Sequence, residues 1–250
     1  MRSFREFRHR EALFLAATGE FDAFMEAVRS IREELGAYIR LYPEFESSLT
    51  PLNCLPGKPP EAAQRMHAAS LLCGVGPMAA VAGATAQLAT EAARRAGCRD
   101  TVVNNGGDIF LHLAPGSSEV LVGLYGGEHT LSGKLAFSIS PELTPLSVCS
   151  SSSRMGHSRS FGACDLATVC AADATLADAA ATLAGNLSKD AQSAAEAAEQ
   201  VAAIEGVDGV LILIDEKLIQ AGSLPPLVSA GSTEAAGKVL RHPLSRPGPE

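Results

Sequence analysis

The sequence predicts an α+β fold in which a mainly antiparallel sheet packs against alanine-rich helices. Short β-rich runs and long helical segments are mixed without strict β-α-β alternation, which favours antiparallel over parallel pairing. Alanine supplies about one residue in six, while aromatic residues make up 5% and tryptophan is absent. Such a core depends on closely approaching backbones rather than on large rings. We expect one domain over residues 1–230 and a Pro/Gly-rich tail over 231–250.

The first half of the chain predicts a strand region followed by helices. Residues 3–17 are rich in arginine, phenylalanine and leucine, which favours a strand or hairpin, and Gly19 supplies a turn after them. Helices are expected over 21–35, 61–72 and 77–95, with a Pro/Gly-rich connection after the first. Gly36 and Gly97 are the predicted stops of the first and third helices, and Pro77 suits a first helical turn.

The second half changes to β-rich runs separated by turns and two further helices. We expect strands at 101–103, 109–113, 120–125, 135–139, 166–170, 209–214 and 217–221. The helices of this half are expected over 175–187 and 190–203, and a serine-rich loop precedes the strand at 166–170.

Charge and cysteine content exclude several classes of protein. The net charge of −8 argues against a duplex nucleic-acid binder, which needs clustered cations to release phosphate counterions. The N-terminal arginines alternate with Phe4 and Phe7 and predict a solvated edge strand. The six cysteines form no C-x-x-C pair, so we expect reduced thiols, a cytoplasmic protein and no zinc site.

One apolar stretch has the length of a membrane span. Residues 66–90 carry no formal charge when His67 is neutral. Alanine dominates the stretch, however, and Gly74-Val75-Gly76-Pro77 breaks it. Buried helices therefore explain it better, and we expect no membrane partner. The same break reads G-x-G-x-x-A, but a helix-forming segment precedes it, so a helix–helix turn is favoured over a dinucleotide-binding loop.

The turn Asn104-Asn105-Gly106-Gly107-Asp108 is the first candidate for chemistry. Two glycines between strand-forming runs permit positive φ and expose backbone N–H groups, and Asp108 adds a carboxylate. The structural alternative is a hairpin turn made of the residues that such turns favour.

A polar loop over residues 150–162 is the second candidate. It concentrates serines, Arg154, Arg159 and His157 just before a buried strand. Hydroxyls and arginines on a glycine-containing loop suit phosphate or carbonyl oxygens. A nucleophile elbow is disfavoured because Gly156-His157-Ser158-Arg159-Ser160 ends in serine where G-x-S-x-G needs glycine. The alternative is a mobile polar loop.

The third candidate is Asp178-Ala179-Ala180-Ala181-Thr182. On a helix the Asp178 carboxylate and the Thr182 hydroxyl lie on one face, one turn apart. Both are hard oxygen donors that match Mg²⁺ or Ca²⁺ rather than zinc. In the alternative interpretation Thr182 bonds back to its own helix and Asp178 lies near the helix N-terminus.

Taken in order, these segments resemble a divergent, functionally uncharacterised branch of the ApbE-like superfamily, whose best-known members are flavin transferases. The resemblance covers about residues 70–190 and includes Asn-x-Gly-Gly-Asp over 104–108 and Asp-Ala-x-x-Thr over 178–182. It implies an ApbE-like α+β fold and transfer of FMN from FAD to a Ser or Thr of a target protein with Mg²⁺. It also implies that Asp178 and Thr182 are metal ligands, and that Gly106, Gly107 and Asp108 lie at the nucleotide pocket.

The serine loop departs from the family pattern. Well-known members carry Thr-Ser-Gly and then His-x-x-Asp-Pro-x-Thr-Gly, whereas this chain has Ser151-Ser152-Ser153 and a shorter segment after it. His157 aligns with the family histidine, but Asp-Pro and Thr-Gly have no counterpart.

The resulting hypothesis is a site for an anionic ligand and Mg²⁺, built from the turn, the loop and the helix. Asp178 and Thr182 hold the metal, and His157 or Asp108 accepts a proton from an attacking hydroxyl. The predicted ligand-binding residues are Asn104, Gly106, Gly107, Ser151, Ser152, Arg154, Ser158, Arg159 and Ser160. We expect the ligand to be a flavin nucleotide, FAD or FMN, or a different nucleotide that carries a diphosphate.

Two other functions stay open. A non-catalytic protein that binds an anionic small molecule or a flavin would keep the pocket without metal chemistry. A metal-independent enzyme would use the His157 loop on a small phosphorylated or carboxylated metabolite. The small-residue helices suggest a homodimer.

Overall fold

The computed structural model describes residues 3–9, 12–152 and 162–230, which form two sheets and a layer of helices. The strands are β1 (Arg5–His9), β2 (Ala12–Thr18), β3 (Thr101–Asn105), β4 (Asp108–His112), β5 (Val120–Leu124), β6 (Leu135–Ile139), β7 (Leu146–Ser151), β8 (Leu166–Ala171), β9 (Val207–Ile214), β10 (Lys217–Gly222) and β11 (Leu227–Ser229). The helices are α1 (Phe21–Leu41), α2 (Glu44–Ser47), α3 (Glu61–Cys73), α4 (Val81–Arg95), α5 (Ala174–Leu187) and α6 (Ala191–Ala202).

The sheets and helices stack in three layers. The larger sheet has the order β1-β2-β3-β4-β7-β8-β9-β10 and the smaller has the order β11-β6-β5. Every described strand pair is antiparallel. One core lies between the larger sheet and the helices, and a second lies between the two sheets. The α+β fold with a mainly antiparallel sheet is therefore confirmed.

Strand alternation decides which side chains of the larger sheet face the helices. On β3, Val103 packs into the helix-side core and Val102 into the core between the sheets. On β7, Cys149 packs into the helix-side core and Val148 packs into the core between the sheets. Successive side chains of a strand point to opposite faces. Asn105, two residues after Val103, therefore faces the helices.

Helix α1 runs past the predicted stop at Gly36 and ends at Leu41. A glycine within a helix costs only about 1 kcal/mol. Leu35 and Tyr38, on either side of Gly36, have buried side chains. Their packing stabilises the helix by more than the glycine costs. The helix stops where Tyr42 leaves helical geometry just before Pro43.

Glycines end the next helices where the sequence predicts. Gly74 closes α3 with a φ of 68°. At the end of α4, Gly97 has a φ of 108°, and the Cys98 N–H donates to the Ala93 carbonyl, the bond pattern of a Schellman motif. Pro77 begins a 3-10 turn over Pro77–Ala80 rather than the α-helix itself.

Strand β7 was missed because its sequence is rich in serine, which strands do not favour. Two of its hydroxyls have partners within the sheet: Ser147 Oγ donates to the Ala171 carbonyl, and Ser150 Oγ lies 2.9 Å from Thr168 Oγ1. The strand includes Ser150 and Ser151, which were predicted to begin the polar loop. Strand β11 and helix α2, which are three and four residues long, were also not predicted.

Among the described residues, no single helix has the length and apolarity needed to cross a membrane. Glu61–Cys73 and Pro77–Arg95 meet both requirements only when taken together, and a bend of 106° separates them. The tail over 231–250 lies outside the described residues.

Candidate functional site

The β3–β4 hairpin places the predicted turn over residues 104–108 at the end of two inner strands of the larger sheet. Asn105 pairs with Asp108, and the two residues between them, Gly106 and Gly107, have φ values of 71° and 117°. Positive φ at both central positions is the requirement of a two-residue type I′ turn. Asn104 Oδ1 accepts a hydrogen bond from the Gly107 N–H, at 2.9 Å, which stabilises the turn.

Asp108 faces the helices from the first position of β4 and is buried, with 8% of its surface exposed. Its Oδ1 accepts a hydrogen bond of 3.3 Å from the Ser150 N–H on the neighbouring strand. Burial raises the pKa of Asp108 to about 7, although the hydrogen bonds from Ser150 and the Cys149 thiol oppose the shift. This carboxyl group therefore keeps its proton to a higher pH than an exposed aspartate does.

Asp178 approaches the same point from the fifth position of α5. Its Oδ2 accepts a hydrogen bond of 2.8 Å from the Gly83 N–H in the first turn of α4. Burial raises the pKa of Asp178 well above its usual range, and the negative charge of Asp108 raises it further. The backbone N–H groups of Gly83 and Ala82 oppose that shift, because a helix N-terminus favours a carboxylate. The helix terminus that Asp178 contacts is thus that of α4, not its own.

A close contact between α4 and α5 places Asp178. A Cβ atom at Gly83 would lie 2.1 Å from the Ala174 carbonyl oxygen and 2.9 Å from the Asp178 Cβ. Only glycine fits this contact without displacement of the backbone. Gln87 adds a second link, because its Oε1 accepts a hydrogen bond of 2.7 Å from the Ala174 N–H.

Two further residues that the sequence prediction missed complete the carboxylate cluster. The fully buried Cys149 thiol bonds to Asp108, and burial together with both carboxylates raises its pKa well above the usual range. Asn105, rather than its neighbour Asn104, faces the helices and donates from Nδ2 to the Ala82 carbonyl at 3.1 Å. Asn105 could have been predicted from the hairpin, because it pairs with Asp108 and residues paired across two strands have side chains on the same face of the sheet.

The predicted hydroxyl groups lie at the ends of these elements. Ser151 and Ser152 are buried at the end of β7, and Ser151 Oγ has no hydrogen-bond partner among the described residues. Thr182 is half-buried, one turn beyond Asp178. The structure thus brings Asp108 and Asp178 together. The predicted residues Arg154, His157, Ser158, Arg159 and Ser160 lie outside the described residues.

The donor set of this cluster fits a hard divalent cation. Within the described ranges no group of three His, Cys, Asp or Glu side chains is arranged to hold a metal. Mg²⁺ needs no such group, since it is commonly bound by one or two carboxylates, waters and the phosphates of a substrate. The Asp108 and Asp178 carboxyl groups match that mode of binding. The Ser151 hydroxyl, which has no partner within the described ranges, lies on β7, the strand next to Asp108.

Comparisons with known proteins agree with this architecture. A family model described as "AbpE bacteria" matches residues 6–231. The UPF0280 protein of Methanocella arvoryzae is 40% identical over 232 residues, which is 92% of this chain and 93% of that protein. The UPF0280 protein of Archaeoglobus fulgidus is 40% identical over 242 residues, covering 94% and 97%.

Solved structures share the fold at low sequence identity. A point mutant of the flavin transferase ApbE from Vibrio cholerae matches with a TM-score of 0.58 and 10% identity, covering 96% of this chain and all of that one. The ApbE protein from Thermotoga maritima matches with a TM-score of 0.53 and 12% identity, covering 88% and 97%. The present chain shares its fold with these solved ApbE structures, and it belongs to the family described as AbpE bacteria.

Proposed function

We propose that this protein is a Mg²⁺-dependent transferase that acts on a flavin or another diphosphate nucleotide. The observation that supports this most directly is the pair of buried carboxyl groups, Asp108 and Asp178, delivered to one point by separate elements. Two neighbouring carboxylates in a low-dielectric site cannot both ionise without a compensating charge. A divalent cation bound together with an anionic ligand supplies that charge.

In this proposal Asp178 and Thr182 hold the metal. When bound, Mg²⁺ neutralises the diphosphate and polarises a phosphoryl oxygen. Asp178 is already oriented by the N–H groups of Gly83 and Ala82, so its free oxygen has little freedom to move. Such fixed orientation lowers the entropic cost of binding an ion or ligand.

Asp108 or His157 takes the proton of the attacking hydroxyl. The pKa of about 7 suits Asp108 to this role, because a general base is most effective when its pKa lies near the working pH. The acceptor hydroxyl belongs to a protein target, as the family resemblance implies. The other phosphate and ligand oxygens are assigned to Asn104, Gly106, Gly107, Ser151 and Ser152, together with Arg154, Ser158, Arg159 and Ser160.

The test is incubation of the purified protein with FAD and MgCl₂, in which water takes the place of the acceptor hydroxyl and the products are FMN and AMP, followed by chromatographic measurement of AMP. Asp178→Asn removes one charge at nearly constant shape, and Asp215→Asn makes the same change at an exposed turn between β9 and β10. We expect AMP release by the wild type and by Asp215→Asn, and its loss in Asp178→Asn.

The same experiment separates the alternatives. FAD that binds but stays intact would favour the non-catalytic binding protein. Failure to bind any flavin nucleotide, with or without Mg²⁺, would contradict both flavin hypotheses and leave the metal-independent enzyme.

A further inference from the structure

The free edge of the smaller sheet has the properties of a protein-pairing surface. Four strands form the edges of the two described sheets: β1, β10, β5 and β11. An edge strand presents unpaired backbone N–H and C=O groups, and proteins usually protect it with charge, shortness or a covering segment. These protections differ sharply among the four edges.

Three of the edges carry such protection. Strand β1 has charged side chains at Arg5, Glu6 and Arg8, and Lys217 and Gln220 lie on β10. Strand β11 has only three residues and ends in a serine. By contrast β5 reads Val-Leu-Val-Gly-Leu, without any polar side chain or proline.

Strand β5 is also accessible where a partner would bind. Among the described strands it pairs with β6 alone. Val122 and Leu124 point into the core between the sheets, whereas Gly123 is exposed and Leu121 is half-buried on the outer face. The outer face of the edge therefore offers a large apolar side chain next to a position without a side chain.

We propose that β5 pairs antiparallel with β5 of a second copy of this chain, joining the smaller sheets into one six-stranded sheet. The sequence is complementary to itself about a two-fold axis at Val122. In this register Leu121 of one copy lies opposite Gly123 of the other, so the leucine side chain fills the space that the glycine leaves. Val120 lies opposite Leu124. Glu119 falls opposite Tyr125, so no like charges face each other. A two-fold interface of this kind closes without forming a filament.

The experiment is sedimentation velocity of the full chain across about 1–200 μM, a range chosen because a short apolar edge contact is a small interface. We expect the wild type to approach twice the 25.8-kDa chain mass as concentration rises. Leu121→Lys should weaken dimerisation by at least about tenfold, since an ammonium group would be buried against the partner strand. Gln220→Lys, the same added charge at the β10 edge, should leave it unchanged.

Gly123→Lys keeps the proposal testable if Leu121→Lys fails to fold by circular dichroism. Gly123 is exposed and its φ is not positive, so a side chain there is compatible with the monomer. A wild type that stays monomeric up to about 200 μM overturns the proposal, including the case in which another part of the chain or a different protein covers the edge. A dimer that Gln220→Lys disrupts and Leu121→Lys does not also overturn it.

Discussion

Removal of the buried Asp108 carboxyl should stabilise the metal-free protein at alkaline pH. Burial raises the pKa of Asp108 from the ordinary 3.8 to about 7, a shift of about three units that corresponds to about 4 kcal/mol. Because the folded state binds the proton more tightly than the unfolded state, the folding free energy weakens as the pH rises from about 4 through 7. Most of that loss, on the order of 2–3 kcal/mol, falls between pH 5 and pH 8.

The measurement is urea denaturation of the wild type and Asp108→Asn at several pH values from 5 to 8, with EDTA present. Asparagine keeps an oxygen that can accept from the Ser150 N–H but has no titrating proton. Relative to this variant, the wild type should lose on the order of 2–3 kcal/mol across the range, and Asp215→Asn should follow the wild type. Parallel pH profiles for the wild type and Asp108→Asn would refute the assignment of Asp108 as a buried titrating acid.

Three further outcomes follow from the same cluster. Mg²⁺ at pH 8 should raise the urea midpoint of the wild type but not that of Asp178→Asn, because a bound cation offsets the buried charge. Gly83→Ala should abolish this Mg²⁺ response, since a Cβ there would lie 2.9 Å from the Asp178 Cβ. Gly74→Ala, where a Cβ has no neighbour within 4 Å, should cost about 1 kcal/mol through its positive φ and keep the response. Cys149→Ala removes a hydrogen bond that lowers the pKa of Asp108, so the stability decline should move to higher pH.

Much of the fold could be predicted from local patterns in the sequence. Strand β6 and the β3–β4 hairpin have strong short-range signals in their apolar runs and paired glycines. The errors arise where tertiary contacts override local preference. Gly36 remains inside α1 because the helix is packed on both sides of it, and the serines of β7 are accepted because the sheet satisfies their hydroxyls.

The candidate site was only partly predictable for a similar reason. Asp108 and Asp178 could be singled out because Asp108 follows the paired glycines of a predicted turn and Asp178 lies one helical turn before Thr182, in two motifs that resemble those of the ApbE-like superfamily. Gly83 gives no such signal in the sequence, because its importance lies in a tertiary contact: a Cβ atom there would lie 2.1 Å from the carbonyl oxygen of Ala174, 91 positions further along the chain. Cys149 likewise reads as an ordinary core residue until the register of β4 and β7 places it beside Asp108.

The stability of the fold and the proposed chemistry are coupled through these two carboxylates. The protein orients Asp178 with helix N–H groups and Asp108 with a strand N–H group, yet gives the pair no arginine or lysine among their described hydrogen-bond partners. A structural ion pair would normally include such a cation, since buried charges are otherwise costly. Within the described ranges that leaves a proton or a bound ion as the source of positive charge, and each stabilises the folded state by the free energy with which it binds. If the proposed metal site is correct, the carboxyl pair should therefore destabilise the protein when the site is empty at alkaline pH and stabilise it when Mg²⁺ is bound.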